Sequence, residues 1–194
     1  NSDVDLIEVN LSCPNVKGKP QIAYDFDKTD EILSSIMKLG KKPMGVKLPP
    51  YLDPIHAEQM AGILKKYPLA FVCCINSVGN TLIIDAEKEQ PLIKPKGGLG
   101  GLGGDYVKPV ALANVRMFSQ LLGDTMAVIG VGGVRTGTDA FEFLLAGADA
   151  VQVGTAFYEE GPDCFERIQN ELSALLDRKK YATIGSAKGK LKVL

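Results

Sequence analysis

The chain has 194 residues, with 22 Lys and Arg against 23 Asp and Glu for a formal net charge of −1, and 45% of it is hydrophobic. These values fit one soluble globular domain spanning residues 1–194, and near-neutral charge without a basic block excludes non-specific nucleic-acid binding. No apolar run approaches the roughly 20 residues of a membrane span, no leader-like segment opens the chain, and Cys13, Cys73, Cys74 and Cys164 show no disulfide or metal spacing, so a reduced, cytoplasmic protein without a metal is expected.

Residues 6–10 are an apolar run ending in polar residues, read as a strand. After a loop with Pro14, Gly18 and Pro20, residues 30–39 carry apolar side chains at 32, 33, 36, 37 and 39, a helical face that Gly40 should close. Residues 44–48 form a second strand, stopped by Pro49-Pro50. Pro54 suits the first turn of a helix running to about residue 66, and residues 70–75 are an all-apolar strand of the kind covered on both faces. Residues 76–105 break this rhythm: 81–84 and 91–94 look like hairpin arms, followed by a glycine run at 97–104. A helix over about 107–122, a strand at 126–130, a helix at 139–146, a strand at 150–154 and a helix from Pro162 to about 179 complete the pattern.

Strand and helix alternate five times, which predicts βαβ units and a parallel sheet. A doubly wound sheet needs functional ends only at its switch point, whereas a (β/α)8 barrel places chemistry at the C-terminal end of every strand. Here every predicted strand ends in a small or polar cluster: residues 10–15, Lys47, Asn76-Ser77, Gly132-Gly133 and Gly154-Thr155. That favours the barrel. Five units do not close eight strands, so the expectation is about the last five βα units of a longer barrel.

Gly130-Val-Gly-Gly-Val134 and Gly154-Thr155 follow the last two strands, where barrels bind phosphate through backbone N–H groups. No dinucleotide fingerprint is present, so FMN or a sugar phosphate fits better than NAD. In Asn10-Leu-Ser-Cys-Pro-Asn15 the two Asn side chains offer donor and acceptor together, and Cys13 lies among polar neighbours beyond a strand end. Cys73, Cys74 and Cys164 sit in apolar patterns and read as small core residues. Lys47 places a cation at the end of a buried strand, where it must be paired or serve a ligand. His56, the only His, reads as a surface or cap residue at a helix start.

Asn10-Leu-Ser-Cys-Pro-Asn-Val, Val46-Lys-Leu-Pro-Pro-Tyr, Asn76-Ser-Val-Gly-Asn80, Ile93-Lys-Pro-Lys96, Ala111-Leu-Ala-Asn-Val115 and Gly189-Lys-Leu-Lys192 together resemble the dihydroorotate dehydrogenases, in particular the soluble, fumarate-using class 1A branch. The sequence departs from that pattern at Lys17, usually Pro, and at Thr81, usually Gly. The resemblance implies an FMN-containing (β/α)8 barrel, a cytosolic homodimer, with this chain holding strands four to eight. It implies that Cys13 removes the C5 proton of dihydroorotate while hydride passes from C6 to the flavin. Asn10, Asn15, Asn76 and Ser77 would hold the substrate. Lys47 would face the flavin N1/O2 edge, Ile75 and Gly104 would line its site, and Gly132, Gly133, Gly154 and Thr155 would take its phosphate. Two other readings stand beside it: dihydropyrimidine dehydrogenase, which has a similar Asn-Leu-Ser-Cys-Pro stretch, and a non-catalytic partial barrel with open edges.

Overall fold

A computed structural model describes residues 3–13, 20–40 and 42–193. Strand β1 (Ile7–Asn10) leads through a loop into helix α1 (Phe26–Ile36), followed by β2 (Met44–Leu48), α2 (Pro54–Leu64) and β3 (Phe71–Cys74). Four short strands come next: β4 (Val78–Thr81), β5 (Ile84–Asp85), β6 (Gln90–Pro91) and β7 (Gly100–Leu102). Alternation then resumes with α3 (Lys108–Leu122), β8 (Ala127–Val131), α4 (Gly137–Ala146) and β9 (Ala150–Gln152), and the chain ends in α5 (Thr155–Glu160), α6 (Asp163–Arg178) and α7 (Ile184–Ala187).

The helix starts follow from their caps. Asp53 accepts from the His56 N–H at 2.9 Å, and Pro54 fills the first turn, where a missing N–H costs nothing. Thr136 and Asp139 form a reciprocal capping box on α4. Asp25 caps α1 by accepting from Lys28 N–H, so this helix begins several residues before the predicted 30 and ends before the predicted 39. Met37 is its C-cap, Leu39 lies 84% exposed beyond it, and Gly40 closes nothing.

The predicted hairpin is present: β5 pairs antiparallel with β6, Ile84 opposite Pro91, and the Leu92 N–H donates to the Ile83 carbonyl at 3.0 Å. The glycine run supplies β7, which pairs antiparallel with β4; the Thr81 hydroxyl donates to the Gly100 carbonyl at 3.1 Å. Two details at the C-terminal end of the sheet differ as well. Strand β9 stops at Gln152 rather than 154, and Gly154 instead caps the unpredicted helix α5.

Five strands form one parallel sheet in the order β1-β2-β3-β8-β9. The order never reverses, which distinguishes the arc of a (β/α)8 barrel from a doubly wound sheet with its switch point. Alternation along the strands separates two faces. Val9, Val46, Val72, Cys74 and Val128 join Leu33, Leu64, Val115, Phe118 and Phe143 of the helices in one apolar cluster. Glu8, Lys47, Cys73 and Gln152 alternate with these residues and point to the opposite, inner face. A smaller cluster of Phe141, Leu175, Leu176 and Ala187 seals α6 and α7 onto α4. Among the described residues, no helix is long and apolar enough to cross a membrane.

Candidate functional site

Backbone hydrogen bonds run past the ends of the strands and hold the polar residues there in register. Leu11 N–H donates to the Lys47 carbonyl, Asn76 N–H to Leu48 and Ile75 N–H to Val131, at 3.2, 2.8 and 3.1 Å. A side-chain knot then ties β1 to β3. Asn10 Oδ1 accepts from both the N–H and the hydroxyl of Ser12, each at 3.0 Å. Asn76 Nδ2 donates to Ser12 Oγ at 3.1 Å and more weakly to Asn10 Oδ1, and its own oxygen accepts the Ser77 N–H at 2.8 Å. Ser12 is fully buried. A buried hydroxyl with its bonds made rigidifies its neighbours, so the two asparagines are held in fixed orientation.

The turn after Lys47 is clamped from outside. Buried Asn114 of α3 accepts from the Tyr51 N–H at 2.8 Å and donates to the Tyr51 and Val110 carbonyls at 3.0 and 2.9 Å. The Tyr51 hydroxyl donates to the Ala23 carbonyl, and burial pushes that phenol well above the usual tyrosine range. The Pro-Pro-Tyr and Ala-Leu-Ala-Asn motifs are therefore one contact. It anchors the end of the strand that carries Lys47.

One cavity at the C-terminal ends of β2, β3, β8 and β9 is lined by Lys47, Ile75, Asn76, Ser77, Gly104, Gly132, Gly133, Gly154 and Thr155, with Arg135 and Gln152 beside them. Sequence positions separated by more than a hundred residues thus meet on one surface. The glycines in it differ in kind. Gly133 has φ +79°, and a Cβ there would lie 2.7 Å from Lys108 Cβ and 3.1 Å from the Gly104 carbonyl oxygen. The protein itself demands that glycine. Gly154 has an ordinary φ, and a Cβ there would meet no atom within 4 Å. It would only occupy cavity space.

Charges brace this end. Lys108 Nζ pairs with Asp139 and Glu142 at 2.6 and 2.9 Å; its hydrogen bond to Asp139, then that to Glu142, holds the ammonium above the usual lysine range. Burial pushes the Asp139 carboxyl up, but Lys108, Thr136 and the N–H groups of Arg135 and Thr136 outweigh it and hold it below the usual carboxylate range. Arg135 is raised chiefly by its hydrogen bond to Glu159, with Asp105 3.7 Å away.

Asn10 and Cys13 face a neighbouring cavity, lined also by Pro20, Ile22 and Lys28, and Cys13 is exposed. Asn10, which lines this cavity, lies 3.4 Å from Asn76, which lines the first. Asn15 and Lys17 lie outside the described residues. Cys73, Cys74 and Cys164 are buried. His56 sits on the first turn of α2 against Asp53, away from both cavities. Ser12, Glu8 and Gln152 were not singled out from the sequence. For Glu8 and Gln152 the signal was present, a polar side chain at an inward position between apolar residues, and it is the signal that marks Lys47.

Sequential parallel strands with a glycine-lined cavity at their C-terminal ends define a protein of the (β/α)8-barrel class that binds ligands at strand ends. Within that class the chain belongs to the dihydroorotate dehydrogenase family, whose model matches residues 1–176. It is 57% identical over 187 residues to the dihydroorotate dehydrogenase (fumarate) of Kluyveromyces lactis, covering 96% of this chain and 59% of that protein. The protein of the same name from Lachancea kluyveri is 56% identical over 189 residues, covering 97% and 60%. The chain therefore spans about 60% of the length of these relatives. A crystal structure of DHODH from Eimeria tenella in complex with ferulenol superposes with a TM-score of 0.78 at 23% identity, covering 96% of this chain and 54% of that one. That likeness is one of fold.

Proposed function

We propose that the protein takes part in pyrimidine biosynthesis by oxidising dihydroorotate to orotate on a bound FMN, with fumarate as the electron acceptor. The observation that carries this reading is the meeting of Lys47, Ile75, Asn76, Ser77, Gly104, Gly132, Gly133, Gly154 and Thr155 on one cavity. These residues fit the cofactor chemically. The open face of Gly154 leaves backbone unobstructed for a phosphate, the turn at Gly132-Gly133 lines the same cavity, and Lys47 supplies the one lysine ammonium among the cavity-lining residues. When bound, FMN supplies the two-electron acceptor.

The chain's own residues do the rest. Cys13, as thiolate, accepts the proton from C5 of the substrate and later releases it to solvent; an exposed thiol can exchange that proton. Asn10 and Asn76, fixed by Ser12, and Asn15 and Ser77 beside them present donors and acceptors to the pyrimidine amides and carboxylate. Lys47 stabilises negative charge that develops at the far edge of the ring system. The reading places the protein in the cytoplasm, where its thiols stay reduced. It also makes the protein a homodimer, with Leu82, Ile83, Ile84, Leu92 and Ile93 of the 76–105 insertion, all exposed and apolar, as the self-association surface.

Anaerobic mixing of FMN-loaded protein with dihydroorotate is the test. The flavin absorbance bleaches and returns on adding fumarate. Protein that stays colourless in excess FMN, or flavin that dihydroorotate does not bleach, overturns the proposal.

A further inference from the structure

Behind Lys47, the inner face of the sheet carries side chains that the reaction just described does not use. Lys47 Nζ donates to Gln152 Oε1 at 3.1 Å, and Gln152 Nε2 donates to Glu8 Oε2 at 2.9 Å. The other Glu8 oxygen lies 3.7 Å from the Lys47 ammonium, an ion pair held just short of contact. Cys73, opposite Lys47 in the β2–β3 register, is buried beside them, and burial pushes its thiol up. All three ionic or amide groups are partly buried, and Lys47 and Gln152 line the cavity while Glu8 stands behind them.

This arrangement has a chemical logic. An amide is a neutral side-chain group whose oxygen can accept from an ammonium while its nitrogen donates to a carboxylate. Gln152 does both, so its orientation is fixed by its two partners. Its place between them acts as a spacer: a free Lys–Glu pair closes to below 3 Å, whereas this one stands at 3.7 Å. The cation therefore stays directed at the cavity, with its charge only partly offset. In a partly buried site such charges act over longer range than in water.

We infer that Glu8 and Gln152 are positioning residues that set how much positive charge Lys47 presents to the bound cofactor, Glu8 as its counter-ion and Gln152 as the spacer that keeps the pair from closing. The inference rests on the flavin reading above and deepens it. It predicts effects of opposite sign from two residues that touch each other. Glu8→Gln keeps the shape and the acceptor oxygen but removes the negative charge, so the reduced, anionic flavin is favoured by roughly tenfold, about 30 mV more positive for a two-electron couple. Gln152→Leu removes the spacer, lets Lys47 close onto Glu8, and shifts the same equilibrium the other way. In the double variant the Gln152→Leu effect largely disappears, because no carboxylate remains for Lys47 to close onto.

The experiment measures the reduction potential of bound FMN against a reference dye, in the parent and the three variants, with the FMN dissociation constant measured alongside. Opposite shifts from the single variants, and loss of the second shift in the double, support the inference. Variants that bind FMN with the parent's potential overturn the inference and leave the flavin reading intact, as do shifts of the same sign, which mark a merely structural role. A parent protein that takes up no FMN overturns the flavin reading and this inference together.

Discussion

The two ends of the site are built on different principles. At the glycine end, after β8 and β9, the working surface is backbone, and it is held by packing and by paired charges: Gly133 against Lys108, Lys108 against Asp139 and Glu142, Asp139 on the amides of the turn. At the cysteine end, after β1, the working groups are side chains, held by one small knot around Ser12, with Cys13 itself exposed. A backbone surface needs a stable fold to exist at all. A side-chain base needs only access and the right protonation state. On the proposed function, lesions at the glycine end cost cofactor, and stability as well where a Cβ meets protein atoms, whereas lesions at the cysteine end cost rate.

The sharpest way to break that contrast is Cys13→Ala. The variant keeps FMN and its melting temperature, yet its flavin is bleached by dihydroorotate about 10²–10⁴-fold more slowly in stopped flow, the usual worth of a positioned base. Bleaching at the parent's rate would make Cys13 a bystander.

Next comes a pair within the glycine end. Gly133→Val meets Lys108 and a positive φ, so it lowers stability by about 3 kcal/mol and loses flavin with it. Gly154→Val adds atoms only to the cavity but gives up a favoured N-cap residue of α5, so it costs about 1 kcal/mol in denaturant titration, less than Gly133→Val, while FMN affinity falls about tenfold or more. Full FMN affinity in Gly154→Val removes the cavity as the phosphate site.

The smallest effect is electrostatic. Asp139 is held below its ordinary value in the folded protein, so its stabilisation is complete above the unfolded carboxylate range near pH 4 and is lost as pH falls through the lowered folded value. Asp139→Asn therefore costs about 1–2 kcal/mol at neutral pH, through the cap and the Lys108 pair, and the gap to the parent narrows in acid. A gap that is equally wide at pH 3 and pH 7 contradicts this account.

Some of this was legible in the sequence for local reasons. The strands that form the sheet are short apolar runs bounded by Pro, Gly and Asn, and their small or polar ends mark one functional rim because parallel strands all point the same way. Lys47 stood out because a charge in an apolar strand needs a partner. Helix α1 was misplaced because its cap, Asp25, precedes the apolar pattern rather than abutting it. Helix α5 was missed because six residues give too little periodicity to read.

What the sequence alone determined, then, is the order of βα units, the barrel class and the motif residues that place the chain in its family, since each depends on neighbours within a few positions. Which residues meet was decided only in the tertiary structure. Pairing of β4 with β7 spans the β5–β6 hairpin, the Asn114 clamp joins residues 63 apart, and Gln152 reaches Glu8 across 144 positions. No local pattern encodes such distances. They arise because sequential parallel strands bring the first and last of the sheet round to one inner face, where a cation, an amide and a carboxylate must satisfy each other or remain unpaired.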